Sequence, residues 1–262
     1  MDYGYSQNEA NVWHFQIKCG LDFNSGNPII LNDGQAQTGT ANATISDSAG
    51  TFLFCTDWGN VYTSNGQMIN GTGLDCADIS GRAIVKWPKQ DGMFYIFSGK
   101  FYGGFSYSIV DLKLYNGFGA VTDKNIPVES SWDASGRIAI VKEENSENVW
   151  VITRKFTNDA MAVYLVDQNG FNPNPIISEM PDRSVNPGMD YGYIKISSNK
   201  KYMVSSYAVH GTLEISRFNA SNGMVDYLFT ITEPNGGIYP CHGIEFSPDS
   251  KFLYASFSIS EY

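Results

Sequence analysis

Three histidines, His14, His210 and His242, are the side chains in this chain best suited to proton transfer near neutral pH. None stands in a pattern that makes a site on its own. The sequence holds no G-x-S-x-G elbow, no H-E-x-x-H pair, no Walker loop and no calcium-loop pattern. Asp75 and Asp78 share one loop, and Asp182 and Asp190 another. Oxygen-rich loops hold Ca²⁺ only when about six to eight ligands converge, so solvated loop charges are the plainer reading. No cofactor or metal is expected. Cys19, Cys55, Cys76 and Cys241 show no C-x-x-C spacing. They read as buried thiols, with Cys55–Cys76 or Cys19–Cys241 bridges as the alternatives in an oxidising compartment. The sequons at Asn42, Asn70 and Asn219 read as chance matches if the source is bacterial.

The elements that must position these residues repeat. Ile244 and Phe246 alternate with polar neighbours, Pro248-Asp249-Ser250 supplies turn chemistry, and Phe252-Leu253-Tyr254-Ala255 restarts an apolar run. Weaker copies of this strand–turn–strand unit start at residues 43, 83, 139 and 193, so the spacings up to 243 are 40, 56, 54 and 50. They bracket the ~40–50-residue period of four-stranded propeller blades. Third strands follow at 105–111, 162–167 and 213–218, and no sustained helical periodicity interrupts them. The expected fold is all-β, a β-propeller of four-stranded antiparallel blades, preferred over a sandwich because of the paired-strand repeat. Blades are placed near 43–80, 83–128, 139–180, 193–232 and 243–262, in one domain spanning 1–262, with N-terminal strands in 11–23. Those strands could complete the last blade and close the ring. The alternative is a chain cut before further blades, whose open strand edges would associate.

Propellers build function on loops. In each blade the turn between the second and third strands emerges on the same face as the connection between blades. On this alignment those turns are 56–60, 99–104, 154–159 and 207–211, and each sets an aromatic or histidine beside Gly, Asn or Asp. Trp58, Phe101, Tyr102, Phe156 and His210 lie in them, and Trp132, Tyr191 and Tyr239 in the connections. Aromatic faces beside hydrogen-bonding groups suit a sugar ring or a peptide partner. The competing role for each is a lid folded over a blade core. Trp58 is the preferred anchor. The candidate ligand face is therefore Trp58, Phe101, Tyr102, Phe156, His210, Tyr239 and His242.

Composition limits the partners. The net charge of −10 argues against nucleic-acid backbone or anionic membrane as the main ligand. No run of eighteen apolar residues is present, so no membrane insertion is expected. Met1-Asp2-Tyr3-Gly4-Tyr5-Ser6 lacks the basic and apolar regions of a signal peptide.

Asn11-Val12-Trp13-His14-Phe15, Gly20 to Gly26, Ala43 to Asp47, Phe52 to Asp57, Met68 to Leu74, Tyr107 to Leu112, Lys124 to Pro127 and Gly243 to Ser256 occur in an order that looks familiar. Together they resemble the N-terminal propeller of large Bacteroidota surface proteins that carry a gliding-motility-associated C-terminal sorting domain for type IX secretion. The resemblance implies an exported, cell-surface or secreted domain with a binding or adhesive role, and it carries over no catalytic residues. Members of that family continue into further blades and a long C-terminal part, which favours the cut-chain expectation. A second likeness concerns Tyr239-Pro240-Cys241-His242-Gly243 before Phe246-Ser247-Pro248-Asp249. It is similar to lactonase-type propellers, where a Pro-x-His segment enters the innermost strand beside the central channel. That implies a channel-facing acid/base or metal-ligand role for His242; the alternative is a histidine satisfied by backbone groups. The expected function is a non-enzymatic recognition module for glycan or protein. A lactonase-like hydrolase and a structural spacer are the other readings.

Overall fold

The computed structural model describes residues 7–15, 18–34, 36, 42–75, 81–100, 104–129, 134–155, 159–181, 192–207, 211–232 and 241–257. The chain divides into two compact units, residues 1–100 with 105–128 and residues 101–104 with 129–262.

In the first unit a short 3₁₀ turn at Gln7–Ala10 leads into β1 (Val12–His14), β2 (Gly20–Asp22) and β3 (Ile29–Leu31). They pair antiparallel as a three-stranded sheet with β2 in the middle. The sequence shows the first two strands, but Asn27-Pro28 reads as a break and hides the third. A first four-stranded meander follows: β4 (Ala43–Ser46), β5 (Phe52–Thr56), β6 (Asn60–Thr63) and β7 (Gly66–Thr72). The second comprises β8 (Arg82–Lys86), β9 (Met93–Lys100), β10 (Gly104–Asp111) and β11 (Ala120–Glu129). Before β11 lies the single turn α1 (Leu114–Gly117), in which Tyr115 and Asn116 take left-handed φ values. One parallel pairing, Ala120 with Ile69, joins the outer strands of the two meanders. Between their faces lies a core of Phe54, Val61, Met68, Ile84, Phe94, Ile96, Val110 and Val121.

The second unit repeats the plan. β12 (Ala139–Lys142), β13 (Val149–Lys155), β14 (Ala160–Asp167), β15 (Gly170–Phe171) and β16 (Ile176–Glu179) form one sheet. The next contains β17 (Ile194–Ile196), β18 (Tyr202–Tyr207), β19 (Thr212–Phe218) and β20 (Val225–Thr232). β21 (Cys241–Phe246) and β22 (Leu253–Phe257) pair with each other. Trp150, Ile152, Met161 and Val163 of one sheet meet Ile194, Met203, Phe218 and Val225 of the next. Val204, Leu213 and Ile215 then pack against Cys241 and Ile244. Alternate residues of β18 thus face opposite cores, as a blade with a neighbour on each side requires.

The strand-joining turns explain why unlike sequences give one unit. In Asp47–Thr51 the Asp47 Oδ1 accepts from the N–H groups of Ala49 and Thr51, and Gly50 takes the left-handed φ of +87°. In Ser247–Phe252 the hydroxyl of Ser247 accepts from the N–H groups of Lys251 and Phe252, and Ser250 is left-handed at +58°. Ser197 accepts from Tyr202 N–H in the same way, and Lys200 is left-handed at +57°. A short oxygen-bearing side chain at the turn entrance folds back on its own backbone and reverses the chain. Those polar contacts recur where the intervening residues differ, which makes the repeat legible.

The described cysteines, Cys19, Cys55 and Cys241, are free thiols, so neither proposed bridge forms. Burial, helped by the Asp57 charge, pushes the Cys55 thiol up to about 12 and keeps it protonated.

Candidate functional site

Trp58 lies on the two-strand turn between β5 and β6, and it is 49% exposed. The turn beneath it is fixed from several sides. Asp57, fully buried, accepts from the Asn60 N–H at 3.2 Å and from its side-chain amide at 2.9 Å. The Asp57 N–H donates to the Asn60 carbonyl at 3.0 Å, and the Leu74 N–H to the Gly59 carbonyl at 3.0 Å. Gln67 donates to Asn60 Oδ1. Burial, with the Asp57 charge and a hydrogen bond to it, pushes the Tyr62 hydroxyl up to about 12. The indole is therefore presented to solvent from a stiff base.

Arg82, the first residue of β8, reaches back under this turn. Its Nη2 donates to the Trp58 carbonyl at 3.2 Å and to the Asp75 carbonyl at 2.9 Å. Asp75 is held in turn: its N–H donates to Asn125 Oδ1 at 2.7 Å and its Oδ2 accepts from Ser106 at 3.1 Å. The other two nitrogens of Arg82, Nε and Nη1, are buried and meet no acceptor among the described residues. A buried donor left in this state costs about 1–3 kcal/mol, so it calls for a physical reason.

The second unit carries a buried charged network at the corresponding ends of β13, β18 and β19. Arg154 donates through Nη1 to Glu214 at 2.7 Å and through Nη2 to Asp159 at 2.8 Å. The side chains of Arg154 and Glu214 are 1% and 0% exposed. The Tyr207 hydroxyl donates to the same Glu214 oxygen, and burial pushes that hydroxyl far above the usual tyrosine range. Arg137 lies over the Tyr207 ring at 4.5 Å and donates to the Ser205 hydroxyl and the Ser206 carbonyl. For Arg154, burial alone lowers the pKa, and the neighbouring negative charges more than reverse it. Two guanidinium groups and two carboxylates thus share a water-poor site.

Of the seven residues placed on the candidate face, Trp58 is described in full and is half exposed. Phe101, Tyr102, Phe156, His210 and Tyr239 lie outside the described residues, as do Cys76, Asp78, Trp132, Asp182, Asp190 and Tyr191. The backbone of His242 runs in β21; its side chain lies outside the described atoms. His14, the last residue of β1, is buried with its ring 4.5 Å from that of Phe52, and burial lowers its pKa. Among the described residues no three His, Cys, Asp or Glu side chains come together as metal ligands.

Arg82, Arg137, Arg154 and Glu214 are the polar residues that sequence reading missed. Ser80-Gly81-Arg82 and Ser135-Gly136-Arg137 repeat the same tripeptide ahead of two similar strands, which was the available signal.

No family model matches the chain, and no curated protein matches it in sequence. Solved structures do resemble it. A candidate 6-phosphogluconolactonase of Bacteroides fragilis is 13% identical with a TM-score of 0.51, over 93% of this chain and 72% of that one. The periplasmic gluconolactonase of Pseudomonas aeruginosa is 13% identical with a TM-score of 0.49, over 92% of this chain and 62% of its own length. A candidate 6-phosphogluconolactonase of Bacteroides uniformis is 14% identical with a TM-score of 0.40, over 79% and 71%. At such identities likeness speaks for fold alone, and the Bacteroides fragilis protein carries that argument. Together with the repeated four-stranded meanders, it makes this chain an all-β protein of the β-propeller fold.

Proposed function

We propose that this propeller is a non-enzymatic recognition module that binds glycan through the loop face bearing Trp58. The carrying observation is a half-exposed indole on a turn clamped by Asp57, Asn60 and Arg82. A rigid aromatic loses little conformational entropy on binding, and its face matches the apolar face of a sugar ring. Resemblance to the propellers of Bacteroidota surface proteins supports an extracellular or cell-surface setting, where polysaccharide is the abundant ligand. The test is a glycan and surface-polysaccharide array with the purified chain and its Trp58→Ala variant. Truncating a central aromatic anchor costs at least about 2 kcal/mol, so binding of the variant is expected to fall roughly 30-fold. Unchanged binding in Trp58→Ala would move the site elsewhere on the face. No glycan binding by the folded chain would leave a protein partner or a spacer role.

A second reading has one support, the fold shared with a candidate 6-phosphogluconolactonase. In it, water adds to a lactone carbonyl and the ring C–O bond breaks, with His242 as general base. Lactone turnover in the same preparations, lost in His242→Ala, would favour this reading over recognition.

A further inference from the structure

We infer that Trp58 and Arg82 together select a sugar ring bearing a single carboxylate. This rests on the glycan reading of Trp58 and names the ligand class for that site. Arg82 commits one nitrogen to two backbone carbonyls, while Nε and Nη1 are buried without an acceptor among the described residues. Nε carries one N–H and Nη1 two, so three N–H groups stand unsatisfied. No carboxylate among the described residues forms an ion pair with it.

Arg154, a buried guanidinium, is neutralised by Glu214 and Asp159. Arg82 meets no carboxylate among the described residues, and its spare donors belong to the side chain that grips the backbone carbonyl of half-exposed Trp58. Carbonyl oxygens hold the guanidinium in place but do not neutralise it. A ring lying on Trp58 brings its substituents toward the group that grips the Trp58 carbonyl. A carboxylate and a neighbouring hydroxyl of a uronic acid supply the acceptors that Nη1 and Nε lack, and the charge-assisted bond is the stronger of the two. Both nitrogens are shielded from solvent, so the acid group reaches them through a local side-chain adjustment. The protein's own net charge of −10 repels a polyanion, which favours one acid group per bound segment over a densely charged chain.

The experiment is calorimetric titration of paired oligosaccharides, one ending in glucuronic acid and the other its carboxyl-reduced counterpart ending in glucose. They are compared on the full chain, Trp58→Ala, Arg82→Gln and Arg82→Lys. The wild-type chain is expected to prefer the acid form about tenfold or more, as a charged hydrogen bond gives. Arg82→Gln is expected to bring that ratio near one, and Trp58→Ala to weaken binding of both sugars. If Arg82→Gln fails to fold, Arg82→Lys carries the test, with a preference reduced but present because charge remains while donors are lost. Equal wild-type affinity for both sugars, still dependent on Trp58, overturns the inference and leaves the glycan reading intact. An acid preference that survives in Arg82→Gln also overturns it. Failure of both sugars to bind sinks the glycan reading itself, and this inference with it.

Discussion

Replacing Arg154 with methionine is expected to destabilise the second unit by about 3–5 kcal/mol, the usual consequence of stranding one half of a buried ion pair. The cost falls mainly on Glu214. Asp159, whose side chain is 24% exposed, regains water when Arg154 is lost, whereas Glu214 is fully buried and cannot. Tyr207 goes on donating to Glu214, yet one neutral hydroxyl does not balance a carboxylate in a medium of low polarity. The double change Arg154→Met with Glu214→Gln removes the stranded charge and leaves an amide oxygen for Tyr207. It is expected to recover at least half of the loss. With two compact units in the chain, a global unfolding curve does not isolate the second. Hydrogen exchange of the β13–β14 and β18–β19 amides is therefore the measurement, with β9 as internal reference. A loss below about 1 kcal/mol would mean that Arg137, already 4.5 Å from the Tyr207 ring, shifts to neutralise Glu214.

Residues that act on near neighbours in the chain were readable in the sequence, and those that act across it were not. Asp47, Ser197 and Ser247 act on backbone groups two to five positions away, so strand–turn–strand units could be recognised from short stretches. Strand alternation likewise marked Ile244, which is buried. Trp58 was legible because Asp57 and Asn60, the groups that stiffen its turn, adjoin it in the chain. Arg154 and Glu214 are 60 residues apart; Arg154 was expected to open the 154–159 turn, whereas β13 runs on through Lys155, and Glu214 lies within an expected strand. Nothing in either neighbourhood announces that the other side chain will meet it. Arg82 has the same difficulty, since its partners are the carbonyl oxygens of Trp58 and Asp75, and backbone acceptors leave no trace in residue type. His242 drew attention because its Pro-x-His segment is similar to that of lactonase-type propellers, while the buried charges that shape the second unit carried no such flag.

Gly192→Ala is expected to cost about 3 kcal/mol or more, since overpacking alone takes about 1–3 kcal/mol and a second loss adds to it. A β-carbon built at position 192 would lie 2.1 Å from the Ser206 carbonyl oxygen and 2.8 Å from its carbon. Both are backbone atoms, so no side-chain rotation relieves the contact. Moving that carbonyl is itself costly, because Arg137 donates to it at 2.8 Å. The Ser206 N–H bonds the Tyr193 carbonyl and its hydroxyl accepts from the Tyr193 N–H, both at 2.9 Å, so β17 cannot retreat while keeping its pairing. Displacing the carbonyl weakens a hydrogen bond to a charged group, worth about 1.5–3 kcal/mol. Gly59→Ala is the control. Its β-carbon comes no nearer than an ordinary 3.5 Å to the Leu74 carbonyl oxygen, and a loss within about 0.5 kcal/mol is expected. Hydrogen exchange at β17 and β18 for Gly192→Ala, and at β5 and β6 for Gly59→Ala, separates the cases. A small loss in Gly192→Ala with β17 protection retained would show that the approach of residue 192 to Ser206 is dispensable. Loss of β17 protection together with weakened β18 protection would show instead that the glycine, the pinned carbonyl and Arg137 hold the inner edge of this sheet as one arrangement.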